Sequence, residues 1–305
     1  MPIPDTSPED VLRRRFVIHG TLRAGGGPVE VYKTAPLDDP EAVRALILIA
    51  PESDEDLAAL PGVIRRVASA ASPHLPRVME HGWLTEAEFL PADAHPTPPE
   101  EARFYFVREW VDGPILRNVL DNEGPEACDA ATTLERILAV ADGVAALHRV
   151  GVLHLDLTPA NVVVPRGGRP VKVVGLSSCW AVGPAFPGLG HRGSPGYTAP
   201  ETFAGPAGPE EVSFSADVFS LGAVLFEMLA GRTPFGTGID YLRYWSELTR
   251  RAPPFRLPMH FEGSWGDGLL AAHLRWSLEG VPRRRPATVS EFAAPLRLLL
   301  RTLRQ

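Results

Sequence analysis

Residues 217–230 read Asp-Val-Phe-Ser-Leu-Gly-Ala-Val-Leu-Phe-Glu-Met-Leu-Ala, and Gly231 follows. The segment is apolar nearly all the way round a helical wheel. Such a helix has no wet face, so it must lie inside a sizeable core. A glycine directly after it is a common helix stop. It is too short to cross a bilayer, which takes about 20 apolar residues. The chain therefore needs enough other helices to surround this one.

The N-terminal part reads differently. Phe16–Ile18, Val29–Tyr32 and Ala45–Ile49 are rich in β-formers and separated by Gly/Pro or acidic loops, which predicts three strands. Ser53 followed by Asp54, Glu55 and Asp56 marks a helix start. Pro61-Gly62 predicts a break there and a new short helix over Val63–Ala71. Pro73–Leu84 and Arg103–Val111 are strand-like again. Between them, residues 86–102 hold prolines at 91, 96, 98 and 99 and predict a flexible hairpin insertion. Leu134, Ile137, Leu138, Ala141 and Ala145 recur at helical spacing, so Thr133–Arg149 should be an amphipathic helix. Val162–Val164 and Val171–Val174 predict two short strands around a Pro-Arg-Gly-Gly turn. Ser178–Tyr197 reads as loop, and later helical stretches end with Leu296–Leu303. Residues 1–15 lack an apolar core and read as a polar lead-in, not a signal peptide. Strands first and helices after give an α+β chain with two lobes.

Net charge is −7, so there is no global basic field for nucleic acid or an anionic membrane. Two cysteines, Cys128 and Cys179, make no disulfide framework or metal cluster and fit a reducing, cytoplasmic setting. Only Lys33 and Lys172 are lysines, so a missing lysine is visible by eye.

The run His154-Leu155-Asp156-Leu157-Thr158-Pro159-Ala160-Asn161 sets an Asp and an Asn five residues apart after a His. It resembles the catalytic loop H-R-D-x-x-x-x-N of eukaryotic-type protein kinases. Pro73–Val78 resembles the entry to the fourth strand of that superfamily, and Glu109–Gly113 its hinge. Gly193–Glu201 resembles the G-T-P-x-Y-x-A-P-E end of its activation segment. Ser215–Gly222 resembles S-D-V-[WY]-S-L-G, and Arg285-Pro286 a late R-P pair. The order and spacing over residues 16–292 are similar to those of bacterial serine/threonine kinases. The resemblance implies a bilobal protein kinase-like fold. A small β-rich N-lobe would span 16–111, with the Pro-rich insertion at 86–102, and a mainly helical C-lobe 112–305. It further implies ATP and magnesium, with catalysis by positioning and charge neutralisation. Asp156 would be the catalytic base and Asn161 a metal ligand. Gly25 and Gly26 would cover the phosphates, and Val31, Ala45 and Val163 would line the adenine site. Val78, Val67, Leu176 and His154 would stack as a spine. Asp217 would anchor the catalytic loop and Glu201 would pair with Arg285.

Several positions depart from that pattern. The run Arg44-Ala45-Leu46-Ile47 matches V-A-[IL]-K with Ile47 in place of the lysine. Val63 stands where the helix glutamate that pairs with that lysine belongs. Both halves of the ion pair are absent together, as expected when a lone buried charge is costly. Gly175 replaces the magnesium-binding Asp, and no Asp or Glu occurs between Asp156 and Glu201. Thr158 replaces a phosphate-facing Lys. Leu155 replaces the Arg that docks a phosphorylated loop, which leaves no cation to receive a phosphate there. The Gly-rich loop has Ala24 and Val29 at two expected glycine positions.

Two main readings follow. One is a pseudokinase: a regulatory, protein-binding module in signalling, with no cofactor or weakly bound ATP and no expected magnesium. Its partner is a protein of unknown identity, not nucleic acid or membrane, and residues 86–102 and 180–197 offer contact surfaces. The other is an atypical serine/threonine kinase or nucleotidyl transferase carried by Arg108, Asp156 and Asn161. Asp156 and Asn161 serve either as base and ligand or as loop architecture. Arg108, before the hinge, either supplies a cation to the rear of the nucleotide pocket or snorkels outward. Lys33 is either a replacement for the lost lysine or a surface residue. A small-molecule kinase is disfavoured by the A-P-E segment and Asp217.

Overall fold

The computed structural model describes residues 7–23, 28–51, 53–85, 88–92, 102–123, 129–182, 194, 196–204, 212–236 and 265–305. The chain divides into two compact units. The first comprises Met1–Ala71 and Pro76–Val111, the second Ser72–Leu75 and Asp112–Gln305.

The first unit is built on one antiparallel sheet. Its strands are β1 (Phe16–Arg23), β2 (Val29–Pro36), β3 (Arg44–Ile49), β4 (Val78–Leu84), β5 (Phe89–Pro91) and β6 (Arg103–Glu109). They lie in the order β1-β2-β3-β6-β4-β5. The two-residue period of a strand sorts the side chains. On one face Tyr32, Leu46, Leu48, Tyr105 and Val107 form a core with Phe16 and Leu84. On the other, Val31 pairs with Ile47 and Ile47 with Phe106, while Lys33 pairs with Ala45 and Ala45 with Arg108.

The N-terminal lead-in needs correction. Pro8–Leu12 forms a short helix, α1, in which Val11 and Leu12 are fully buried in that first core. Ser7 and Asp10 cap it reciprocally, with Pro8 in the first turn. The break at Pro61 is also absent, since α2 runs unbroken over Asp54–Ser69. Proline removes one bond, to the carbonyl four residues back. Leu60, Val63, Ile64 and Val67 are all buried on one helical face, and that packing holds the helix through. Helix α2 lies against β4 and β6. The 86–102 insertion begins as a hairpin, β5 pairing with β4. Residues 93–101, and Ala24–Gly27 with Gly25 and Gly26, lie outside the described residues.

The second unit holds α3 (Leu116–Glu123), α4 (Ala130–Arg149), α5 (Glu201–Ala204), α6 (Ser215–Ala230), α7 (Trp265–Ser277) and α8 (Val289–Leu303). Two small ribbons join them: β7 (Val152–Leu153) with β10 (Trp180–Ala181), and β8 (Val162–Val163) with β9 (Lys172–Val173). Every residue of α6 from Ser215 to Leu229 is buried, and α4, α7 and α8 pack around it. Gly231 ends α6 in the left-handed conformation, φ 66°. At Gly222 a Cβ would come within 2.8 Å of the Ser277 side chain, so α6 and α7 meet at a glycine. Asp129 caps α4 by accepting from Thr132 N at 2.7 Å. Among the described residues no helix is long and apolar enough to cross a membrane.

Candidate functional site

The catalytic-loop residues of the second unit are organised by one buried carboxylate. Asp217, in the first turn of α6, is fully buried. Its Oδ2 accepts from His154 N at 2.8 Å and its Oδ1 from Leu155 N at 2.9 Å. His148 Nε2 lies 2.8 Å from Oδ2, and its ring stacks on Phe214 at 4.3 Å. Burial alone would raise the Asp217 carboxyl. The His148 bond and charge, with the backbone donors, hold it below the ordinary carboxylate range. Leu155 is the one non-glycine among the described residues with positive φ, 65°. That conformation costs about 1–2 kcal/mol, and the bond from its N–H to Asp217 helps to hold it.

His154 is fully buried and links the loop to the strand beyond. Its Nε2 lies 2.8 Å from the Val174 carbonyl, and its Nδ1 accepts from Asp156 N at 3.3 Å. Both bonds together require the proton on Nε2. Asp156 is half-buried, and both its carboxylate oxygens are engaged. Asn161 Nδ2 donates to Oδ2 at 2.7 Å and to the Asp156 carbonyl at 2.8 Å, while Ser194 Oγ donates to Oδ1 at 2.6 Å. Thr158, buried, ends its extended stretch where a short 3-10 turn over Pro159–Asn161 begins.

Gly175 sits beside this pair with φ 79°. A Cβ built there would lie 2.5 Å from both Cγ and Oδ1 of Asn161. The Asn161 amide thus fills the space a side chain at 175 would enter, and its bonds to Asp156 hold it there. Cys179, buried nearby, has its thiol pushed well up, first by burial and then by the charges of Asp217 and Asp156. It is an inert thiol.

Two further networks brace the unit. Arg285 makes a two-bond fork with Glu201, at 2.7 and 2.8 Å. It also donates to the carbonyls of Ser215, Glu279 and Gly280. The second network was not foreseen from sequence. Arg117 of α3 donates to Glu227 of α6 at 2.8 and 3.1 Å and to the Tyr197 hydroxyl at 2.5 Å, and Tyr197 donates to Glu227. Burial followed by the Glu227 bond raises the Tyr197 hydroxyl well above its ordinary range. The available signal was Glu227 itself, a carboxylate in an otherwise apolar helix, which demands a partner.

In the first unit, Ile47 and Val63, which the resemblance puts at the ion-pair positions, are both 3% exposed, so both places are apolar and dry. Arg44, paired with Glu109, lies on the opposite face of β3 from Ile47. Val31 and Ala45 share the Ile47 face, whereas Val163 belongs to the second unit. Lys33 places its ammonium 4.8 Å from the centre of the Trp110 ring. Arg108 is 9% exposed. Its one side-chain bond among the described residues runs from Nη1 to the Glu109 carbonyl at 2.9 Å. Burial lowers its pKa to about 10, against the pull of Glu109.

The donor set does not fit the magnesium site that the resemblance implies. Position 175 carries no carboxylate, and the Asn161 amide nitrogen faces Asp156. Among the described residues no group of three or more His, Cys, Asp or Glu is placed to hold a metal.

A protein kinase domain model matches residues 94–267, and the chain belongs to the protein kinase domain family. It is 30% identical over 288 residues to the serine/threonine-protein kinase PknB of Mycobacterium tuberculosis, covering 91% of this chain and 42% of that one. It is 38% identical over 176 residues to a putative cyclin-dependent kinase F-2 of Oryza sativa subsp. japonica, covering 51% of each. The chain thus spans about half or less of the length of these relatives. The crystal structure of the Mycobacterium tuberculosis PknI kinase domain matches with a TM-score of 0.63 at 22% identity, covering 93% of this chain and 95% of that one. The α+β kinase fold is therefore shown, with its β-rich and helical units.

Proposed function

We propose that this kinase-family chain is a pseudokinase, a catalytically impaired domain that acts as a regulatory, protein-binding module in signalling. The observation that carries the reading is the Gly175–Asn161 contact. The position of the metal-binding carboxylate is a glycine in left-handed backbone, and the neighbouring amide has packed into the vacated space. The paired loss at Ile47 and Val63, both buried and apolar, supports it independently. Removing one preorganised charge-stabilising group costs about 10²–10³ in rate. With three such positions changed, and allowing for non-additivity, a typical turnover of about 1–100 s⁻¹ should fall by at least ~10⁴. Asp156 and Asn161 then act as braces, tying the catalytic loop to Ser194. The small cysteine count fits a cytoplasmic module.

Arg108 favours a second reading. A buried guanidinium with one side-chain bond among the described residues supports an anion-binding role, as an atypical kinase or nucleotidyl transferase would need. One assay separates the two: label transfer from γ- or α-labelled ATP to protein substrates by the wild-type chain and by Asp156→Asn. The pseudokinase reading expects no transfer above background from either. Transfer by the wild type that Asp156→Asn abolishes would establish the enzyme instead.

A further inference from the structure

Arg108 stands on the sheet face of the first unit that also carries Val31, Ala45 and Ile47. Its register partners are Ala45 on β3 and Val78 on β4. Residues paired across neighbouring strands point to the same side, so the Arg108 side chain rises beside the small Ala45. Ala45 has only a methyl group to bury, yet it is wholly inaccessible, and Arg108 itself is 9% exposed. The pairing of β4 with β6 ends at this place in an unusual way. A bonded antiparallel pair exchanges two N–H to carbonyl bonds. Here Glu109 N donates to the Arg77 carbonyl at 2.9 Å, but Arg77 N donates to the Glu109 carboxylate, at 3.2 Å. The Glu109 carbonyl is left to a side chain, and Arg108 Nη1 donates to it at 2.9 Å.

A carbonyl at the end of a ladder needs only one donor, and water would serve. Using a guanidinium instead buries a charge, which is costly, so the side chain must be judged by the space it fills. The resemblance puts adenine against Val31 and Ala45, next to the hinge that begins at Glu109. We infer that Arg108 is a built-in stopper: its side chain covers Ala45 on the first unit's side of the adenine site and occupies the hinge carbonyl that a base amino group would donate to. An adenine ring would bring its amino donor to an acceptor already taken and would meet the other guanidinium donors, and donor against donor cannot pair. The inference rests on the pseudokinase reading and adds a second reason for it. The base is refused at the hinge, independently of the glycine at 175.

The probe is adenosine, which has no phosphate and needs no metal, and its affinity for the full chain is read by calorimetry. The wild type should not bind it at millimolar concentration. Arg108→Ala removes both the bulk and the donors, and should bind it at least about tenfold more tightly than the wild type, the ratio one good hydrogen bond provides. Arg108→Met keeps the bulk without the donors and should fall between them. Arg108→Thr, small and suited to a strand, is a second opening variant, and a cooperative urea transition identifies which variants are folded. Adenosine binding by the wild type as tight as by the opening variants would overturn the stopper. No binding by a folded opening variant would overturn it too. ATP binding by the wild type that the opening variants weaken would also overturn it, and would give Arg108 the anion-binding role. Because adenosine carries nothing to transfer, the stopper can fail while the label-transfer assay still finds no activity, and the reverse.

Discussion

Two buried arginines, one in each unit, differ in how their charge is met. Arg285 is surrounded by acceptors: the two oxygens of Glu201, three carbonyls, and the face of Phe219 at 4.9 Å. Arg108 is nearly as buried and, among the described residues, makes a single side-chain bond, to the carbonyl of the next residue. The first charge is neutralised in place and pins α5 to the residues before α8. The second carries the full desolvation cost with little return. The charged residues of the second unit's frame are paired, whereas Ile47 and Val63 are buried and apolar.

The sharpest way to break the comparison is to remove the satisfied arginine. Arg285→Met leaves Glu201 buried and unpaired and should cost about 3–5 kcal/mol, read as a lower urea midpoint. A loss under 1 kcal/mol would mean that Arg285 is not the anchor described here.

His273 adds a buried base whose ring nitrogens have no hydrogen-bond partner among the described residues. Burial lowers its pKa from 6.5 to about 4. Above pH 6.5 the group is neutral in both folded and unfolded chains and contributes no pH dependence. As pH falls from 6.5 to 4 the unfolded chain takes up the proton first, so stability declines, by about 3 kcal/mol in all. Urea titrations across that range should show the slope in the wild type and its loss in His273→Leu.

Arg108→Met is the counterpart to the first variant and should have the opposite sign. Arg108 is charged at neutral pH in both folded and unfolded chains, and burial lowers its folded pKa to about 10. The folded chain therefore bears the whole penalty below pH 10, and the substitution should stabilise by on the order of 1–3 kcal/mol. Destabilisation would reveal a partner for the guanidinium.

Gly175→Asp should not recover a metal site by itself. Its backbone is left-handed and its Cβ would press on Asn161, so about 1–2 kcal/mol of stability should be lost. Magnesium titration of this variant, followed by its unfolding midpoint, should give no metal-dependent gain. The smallest effect is expected at Tyr197→Phe, about 1 kcal/mol from the loss of its bond to Glu227, measured in the same way.

What could be read in the chain was whatever a local pattern carries. Asp217, Glu201 and Arg285 stand in motifs whose partners are implied by the same motifs, and the structure places Asp217 on the catalytic-loop amides and Glu201 on Arg285. That Ile47, Val63 and Gly175 carry no charge is plain from the sequence itself. Features set by distant packing were not legible. Helix α2 continues through Pro61 because a buried face outweighs one lost bond. Val11 and Leu12 look unremarkable in a polar stretch until the sheet that covers them is known. Arg117 meets Glu227 across 110 positions of sequence, and no spacing rule reaches that far.

The pseudokinase proposal requires that the residues around Asp156 form no metal-assisted nucleotide site. The most direct test is the thermal midpoint of the full chain with millimolar ATP or ADP, with and without magnesium or manganese. A ligand that binds only the folded state raises the midpoint by linkage. No metal-dependent rise is expected. A clear metal-dependent rise that Asn161→Ala removes would contradict it.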